Sequence, residues 1–162
     1  MLDRKKDVAP LLTIYGGKIT THRKLAEAAM DKIGVFFKAS PPWTAGSSLP
    51  GGDFSPDGFY ELVGETIGRW PFLSEPHARR LVRAYGRRVE RILGAAESME
   101  DLGPRFTSDL TGAELRYLVE NEWAETAEDV LYRRGKFGLK ATPDERIAIN
   151  QFIASLGEPA RA

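Results

Sequence analysis

Gly16-Gly17-Lys18-Ile19-Thr20-Thr21 is the segment of this sequence whose residue types and spacing could do chemistry. It follows an apolar run from Ala9 to Tyr15 and reads as a strand, a glycine turn, a lysine, and a helix N-terminus carrying hydroxyls. Free N–H groups and the positive end of a helix dipole favour an anion or a polarised carbonyl at such a position. The glycines let a ligand approach the backbone closely. The segment is not a phosphate-cradling P-loop. G-x-x-x-x-G-K-[ST] needs a glycine where Leu12 stands and a hydroxyl where Ile19 stands. A plain strand-to-helix turn with a solvated lysine is the alternative, and the pattern alone leaves both open.

Three further constellations invite a chemical reading. Arg79, Arg80, Arg83, Arg87, Arg88 and Arg91 form a basic run that could meet nucleic acid or acidic lipid. The ordinary reading is solvation or pairing with nearby acids such as Glu90, Glu97, Glu100 and Asp101, and no interleaved aromatics support single-strand binding. Glu120, Glu122, Glu125 and Asp129 cluster before Arg133 and Arg134. Ion pairing with those arginines and Lys136 is a better reading than metal or acid–base work. His22 adjoins the helix start and His77 lies among the arginines, both read as polar surface residues without a partner in sequence.

Composition bounds the rest. The chain has 162 residues, of which 42% are apolar and 28% charged, enough for one packed domain and hardly two. Basic and acidic residues number 23 each, so net charge supports neither a nucleic-acid nor a membrane partner. No cysteine is present, which excludes disulfides, thiolate zinc sites and cysteine nucleophiles. Two histidines leave little for a metal site, and none is expected. No apolar run approaches the roughly 20 residues that span a bilayer, and the charged start is not followed by a signal-like apolar stretch. A cytoplasmic location is the default expectation.

The elements that must position these residues are nearly all helices. One begins near Thr20 or Thr21, with Leu25, Ala28, Ala29 and Ile33 on one face expected to be buried. An irregular stretch from Ala39 to Phe54 follows, with Trp43 and Leu49 as expected anchors. Ser55-Pro-Asp57 predicts a helix start, with Phe59, Leu62, Val63 and Ile67 inward. Ser74-Glu-Pro76 opens the next, burying Ala78, Leu81, Val82 and Tyr85, and a shorter one buries Val89, Ile92 and Leu93. Thr111-Gly-Ala-Glu114 is a capping box before a face of Leu115, Leu118, Val119 and Trp123. Thr126 and Asp129 cap a segment carrying Val130, Leu131 and Tyr132. Thr142-Pro-Asp-Glu145 is another capping box, before Ile149, Phe152, Ile153 and Leu156. About seven helices in an all-α domain result. The strand before Gly16 has no visible strand partner, which a stable strand needs, and suggests a chain cut from something larger.

Leu11 to Ala26 closely resembles the stretch that closes the flavin domain of aerobic, FAD-dependent glycerol-3-phosphate dehydrogenases. Pro41-Pro-Trp-Thr44, Leu49-Pro-Gly-Gly52, Trp70-Pro-Phe-Leu73, Tyr85-Gly86, Ala113 to Val119, Glu122-Trp-Ala124 and Asp129 to Arg134 with Gly138-Leu139 resemble later landmarks in the same order. The resemblance covers nearly the whole chain. It implies residues 1–22 as the tail of a flavin domain, 23–54 as first helix and linker, and 55–158 as a compact helical cap. It also implies oxidation of glycerol 3-phosphate to dihydroxyacetone phosphate, electrons passing through FAD to quinone in an enzyme peripheral to the inner membrane. Gly16, Gly17, Ile19 and Thr20 match the backbone that approaches the pyrimidine side of the flavin, and Lys18 matches an active-site lysine. His22 stands where the family often has tyrosine, and Gly135 where many relatives have threonine. The substrate-phosphate arginines lie upstream, so the chain alone is expected to hold no FAD and to be inactive. Its own N-terminal FAD-binding domain would be its partner, and a homodimer is left open. The contrasting expectation is a free-standing helical module docking through its arginine-rich helix.

Overall fold

The computed structural model describes residues 2–3, 8–38 and 40–157. Ala39, the expected start of the irregular stretch, residues 4–7 near the N-terminus and residue 158, the expected end of the cap, lie outside them. The chain divides into two compact units, Met1–Ser48 and Leu49–Ala162.

In the first unit, β1 (Leu2–Asp3) pairs antiparallel with β2 (Leu11–Leu12), Leu2 opposite Leu12 and Asp3 opposite Leu11. The strand expected over Ala9 to Tyr15 is therefore two residues long, and it does find a partner inside the chain. A 3-10 turn, Ile19–Thr21, leads into α1 (His22–Ile33). Glu27 on α1 accepts from Arg23 at 2.6 Å and from Thr44 at 2.8 Å, which fastens the following loop to the helix. The expected buried face of α1 is not buried: no residue of the helix is. Residues Leu12 to Tyr15 lie along Leu25, Ala28 and Ala29, but one helix and a two-residue ladder are too little to exclude water. Trp43, the expected anchor, is 69% exposed for the same reason.

The second unit holds α2 (Phe59–Arg69), α3 (Glu75–Tyr85), α4 (Val89–Leu93), α5 (Gly112–Glu122) and α6 (Pro143–Ser155). Asp129–Arg134 is a π-helical segment. The seven expected helical segments are thus all present among the described residues, six as α-helices and one as π. Ser74 accepts from the His77 amide at the start of α3, and Thr142 and Glu145 complete a reciprocal capping box at the start of α6. Ser55 does not cap. Its carbonyl accepts from the Gly58 amide at 2.8 Å, closing a turn over Pro56-Asp57, so α2 begins a turn later with Gly58 as its N-cap.

Two adjoining apolar clusters form the core. One joins Leu62 and Val63 of α2, Ala78, Leu81 and Val82 of α3, and Val89 and Leu93 of α4. The other joins Leu115 and Leu118 of α5, Val130 and Leu131, and Ile149 of α6. Tyr85 and Ala113 pack against both. Trp123 is a correction: it is 85% exposed. α5 stops at Glu122, Trp123 takes the left-handed cap conformation at φ 53°, and the Ala124 amide reaches back to the Leu118 carbonyl at 3.1 Å. That closure ends the helix on a left-handed residue, and it puts Ala124 rather than the indole into the core. Leu49 is likewise exposed. What anchors its loop is a backbone crossing, in which the Arg87 amide donates to the Gly51 carbonyl at 3.0 Å. A Cβ on either Gly51 or Gly86 would collide with the other strand of that crossing.

Leu118 is 1% exposed at the centre of the second cluster. Leu118→Ala is expected to cost about 2–5 kcal/mol, measurable by urea unfolding. An unchanged midpoint would mean that α5 does not bury this face.

Candidate functional site

The Gly16–Thr21 turn is built by backbone geometry that only glycine takes readily. Gly16 has φ 75° and Gly17 φ 142°. A Cβ at Gly16 would meet nothing within 4 Å, while one at Gly17 would meet Leu25 Cδ2 at 3.1 Å. The first glycine therefore leaves open backbone, and the second lets the turn lie on α1. Lys18 is extended and precedes the 3-10 turn. The Thr21 amide and hydroxyl both donate to the Lys18 carbonyl, at 3.0 and 3.3 Å. His22 Nδ1 lies 2.7 Å from the Ile19 carbonyl, so that nitrogen donates and is committed to the turn. Gly16, Gly17, Lys18, Ile19 and Thr20 are all exposed, and Lys18 has no ion pair among the described residues.

The arginine run proves to be mostly internal structure. Arg80 on α3 makes a two-pronged contact with Glu114 on α5, at 2.7 and 2.6 Å, and a further bond to Asp109 at 2.6 Å. Glu114 is fully buried and also accepts from the Tyr85 hydroxyl at 2.7 Å. Arg87 reaches Glu65, and Arg88 reaches Tyr117 and Glu122. Arg79 and Arg83 lie over the rings of Tyr60 and Phe59. The expected partners are otherwise engaged. Glu90 pairs with Arg69, and Asp101 accepts the amides of Glu97 and Ser98.

The Thr111–Glu114 box is correspondingly half made. The Thr111 hydroxyl accepts the Glu114 amide, but the Glu114 carboxylate goes to Arg80 and Tyr85. Sequence spacing assigned that carboxylate to the helix backbone, and its partners stand 34 and 29 residues away. Asp109 is positioned by a tight turn closed by the Phe106 amide on the Leu110 carbonyl and the Gly112 amide on the Pro104 carbonyl. Burial opposes the charge on Arg80, yet the hydrogen bond and charge of Glu114, joined by Asp109, hold its pKa above the ordinary value. Burial, reinforced by the Glu114 charge, pushes the Tyr85 phenol up.

Arg80 also lies over the Phe137 ring at 5.0 Å. That ring sits where a side chain at 135 would be: a Cβ on Gly135 would meet Phe137 Cδ2 at 2.7 Å. Glycine there, rather than threonine, is what lets Phe137 fold against α3. In the acidic cluster, Asp129 pairs with Arg133 at 2.7 Å and Arg134 donates to the Glu122 carbonyl at 2.6 Å. Asp129 also accepts the Glu125 and Thr126 amides and the Thr126 hydroxyl. Among the described residues no three His, Cys, Asp or Glu side chains gather as metal ligands.

His77 corrects the surface reading: it is 5% exposed, with Nε2 lacking a partner. Burial, helped by the Arg80 charge, lowers its pKa to about 4 from 6.5. The folded state holds it neutral, whereas the unfolded chain protonates below 6.5. Stability is therefore expected to fall as pH drops from 6.5 through about 4, by on the order of 3 kcal/mol. His77→Asn should flatten that window in urea titrations; an unchanged pH slope would deny His77 the role. Glu114→Ala, which leaves Arg80 with Asp109 alone and the Tyr85 hydroxyl without its acceptor, is expected to cost about 3–5 kcal/mol, read by thermal and urea unfolding.

The second unit is thus a helical domain held by a buried arginine–carboxylate cluster. Residues 42–159 match the family described as the C-terminal domain of alpha-glycerophosphate oxidase, and the chain belongs to that family. It is 41% identical over 146 residues to the aerobic glycerol-3-phosphate dehydrogenase of Escherichia coli (strain K12), covering 90% of this chain and 29% of that protein. It is 42% identical over 147 residues to the D-erythritol 1-phosphate dehydrogenase of Brucella abortus (strain 2308), with coverages of 90% and 29%. To the alpha-glycerophosphate oxidase of Lactococcus lactis (subsp. lactis, strain IL1403) it is 31% identical over 141 residues, with coverages of 82% and 22%. The chain thus spans under a third of the length of these relatives.

Proposed function

We propose that this chain supplies the C-terminal portion of an FAD- and quinone-dependent glycerol-3-phosphate dehydrogenase, and that it alone neither holds FAD nor turns over. The observation that carries the reading is the 41% identity, over 90% of this chain, to an aerobic glycerol-3-phosphate dehydrogenase. The similarity to an erythritol-phosphate enzyme is of the same strength. The supported substrate class is a polyol phosphate, with glycerol 3-phosphate our reading within it.

The turn suits a flat cofactor. Gly16 presents backbone with open space where a side chain would stand, so a ring can lie against the peptide planes. FAD bound there would accept the hydride from C2 of the substrate as its hydroxyl gives up a proton and the ketone forms. Gly16, Gly17, Ile19 and Thr20 would line the pyrimidine side of the ring. Lys18 would place a positive charge beside the negative charge that develops as hydride arrives. His22 stands where the family often has tyrosine, and it is not cast as the base in this reading. The remaining walls, the substrate-phosphate ligands and the base belong to the N-terminal flavin domain. The parent enzyme would work at the cytoplasmic face of the inner membrane. Among the described residues no helix is long and apolar enough to cross a membrane.

The test is a chimera in which this chain replaces the corresponding region of the Escherichia coli relative. It should oxidise glycerol 3-phosphate with an artificial electron acceptor. Lys18→Ala in it should lower kcat about 10²-fold with bound flavin and circular dichroism unchanged. A folded, flavin-loaded chimera with no activity on glycerol 3-phosphate, or full activity without Lys18, would sink the assignment. FAD added to the chain alone should give no bound-flavin spectrum; stoichiometric yellow protein would overturn the division of the site between two domains.

A further inference from the structure

The second unit carries a cleft of about 640 Å³ between the Tyr85 end of α3, the turn at 107–109 and the segment 133–140. Six basic and three acidic side chains line it, in a chain whose basic and acidic residues are equal in number. Charge of one sign is therefore concentrated here. All three acids are already spoken for: Asp109 and Glu114 hold Arg80, and Glu145 closes the cap of α6. Of the cations, Arg80 and Arg133 have carboxylate partners. Arg83, Arg134, Lys136 and Lys140 have none among the described residues. Only the Nε of Arg134 is shown engaged, on the Glu122 carbonyl, and Arg83 rests on the Phe59 ring.

Between these cations the lining is apolar, with Ala84, Phe137 and Leu139. Four unneutralised cations around a concave, partly apolar wall focus a positive potential into the cleft. Thr107, also in the lining, keeps a solvent-shielded hydroxyl without a hydrogen-bond partner. An unsatisfied group of that kind calls for a completing partner.

We propose that this cleft of the second unit is a binding site for a small phosphate monoester with a short apolar or planar body. A phosphate dianion offers three acceptor oxygens to a guanidinium fork and two mobile ammonium groups, the arrangement in which charge-assisted hydrogen bonds are strongest. The apolar part of the ester packs against Phe137 and Leu139. The occupant is a soluble molecule rather than a membrane surface, because Arg80 and Tyr85 are half-buried in the wall of a concavity that a flat bilayer does not enter.

The test uses the whole 162-residue chain and needs neither flavin nor turnover, so its outcome is independent of the dehydrogenase assignment. Inorganic phosphate and phenyl phosphate are titrated while amide chemical shifts are followed. Shift changes should gather at residues 107–109 and 133–140, with phenyl phosphate binding more tightly than inorganic phosphate. The double variant Lys136→Glu/Lys140→Glu alters two exposed side chains and should weaken phenyl phosphate by about tenfold or more. Arg91→Glu, an exposed arginine outside the cleft, should bind as the parent does. Equal weakening by Arg91→Glu, or shifts scattered over the surface, would reduce the effect to general charge and overturn the site. So would the absence of saturable binding in the parent chain. Sedimentation with phosphatidylglycerol vesicles but no saturable binding of phenyl phosphate would replace it with a lipid surface.

Discussion

The guanidinium of Arg80, held between Asp109 and the fully buried Glu114, is the interaction around which the second unit is arranged. It joins α3 to α5 and to the turn before α5, and its outer face carries the Phe137 ring. Tyr85 adds a third hydrogen bond to Glu114, on Oε1, while packing against both apolar clusters. A buried carboxylate is tolerated only when its charge is matched and its lone pairs are filled. Here Arg80 matches the charge, and Arg80 and Tyr85, both of α3, donate three hydrogen bonds to the carboxylate. The helices cannot slide without breaking them, which fixes the register in which the two clusters meet.

Local glycines make room for that arrangement. Gly51 and Gly86 permit a backbone crossing that a Cβ on either would block, and Gly135 leaves the volume that Phe137 occupies. The consequence at 135 reaches α3, since displacing Phe137 would uncover Arg80. The π-helical turn of residues 129–134 ends there, with the Gly135 amide on the Val130 carbonyl at 3.0 Å. That extra residue in the turn brings Arg133 and Arg134 to the same cleft wall as Phe137.

The first unit behaves differently. Its helix buries no residue, and Ile14, Tyr15, Ile19 and Leu25 remain in contact with solvent. The physical reason is area: two strands of two residues each and a helix of twelve offer too little surface to cover one another. The glycine turn that carries the flavin reading belongs to this unit. At Gly16 the backbone is left open, with no described residue within 4 Å of where a Cβ would stand.

Much of the helical unit was legible in the sequence. Periodicity located Leu62, Val63, Ala78, Leu81, Val82, Leu115, Leu118 and Ile149 on buried faces, because a 3.6-residue repeat records which side of a helix meets apolar neighbours. Serine and threonine caps at Ser74 and Thr142 were legible because their partners lie three residues away. The same local logic misassigned Ser55, where a turn intervenes, and Trp123, where the helix ends on a left-handed residue. The strand at Leu11–Leu12 was legible as a strand, but its partner at Leu2–Asp3 was not. The resemblance placed the chain in its family because ordered landmarks survive where single motifs are ambiguous. What only the tertiary structure decided was pairing over distance: that Glu114 leaves its capping role for Arg80, that His77 is buried, and that four cations without a carboxylate partner among the described residues share one cleft. Sequence records each residue's local preference; which opposite charge comes within 3 Å of it depends on how the helices pack.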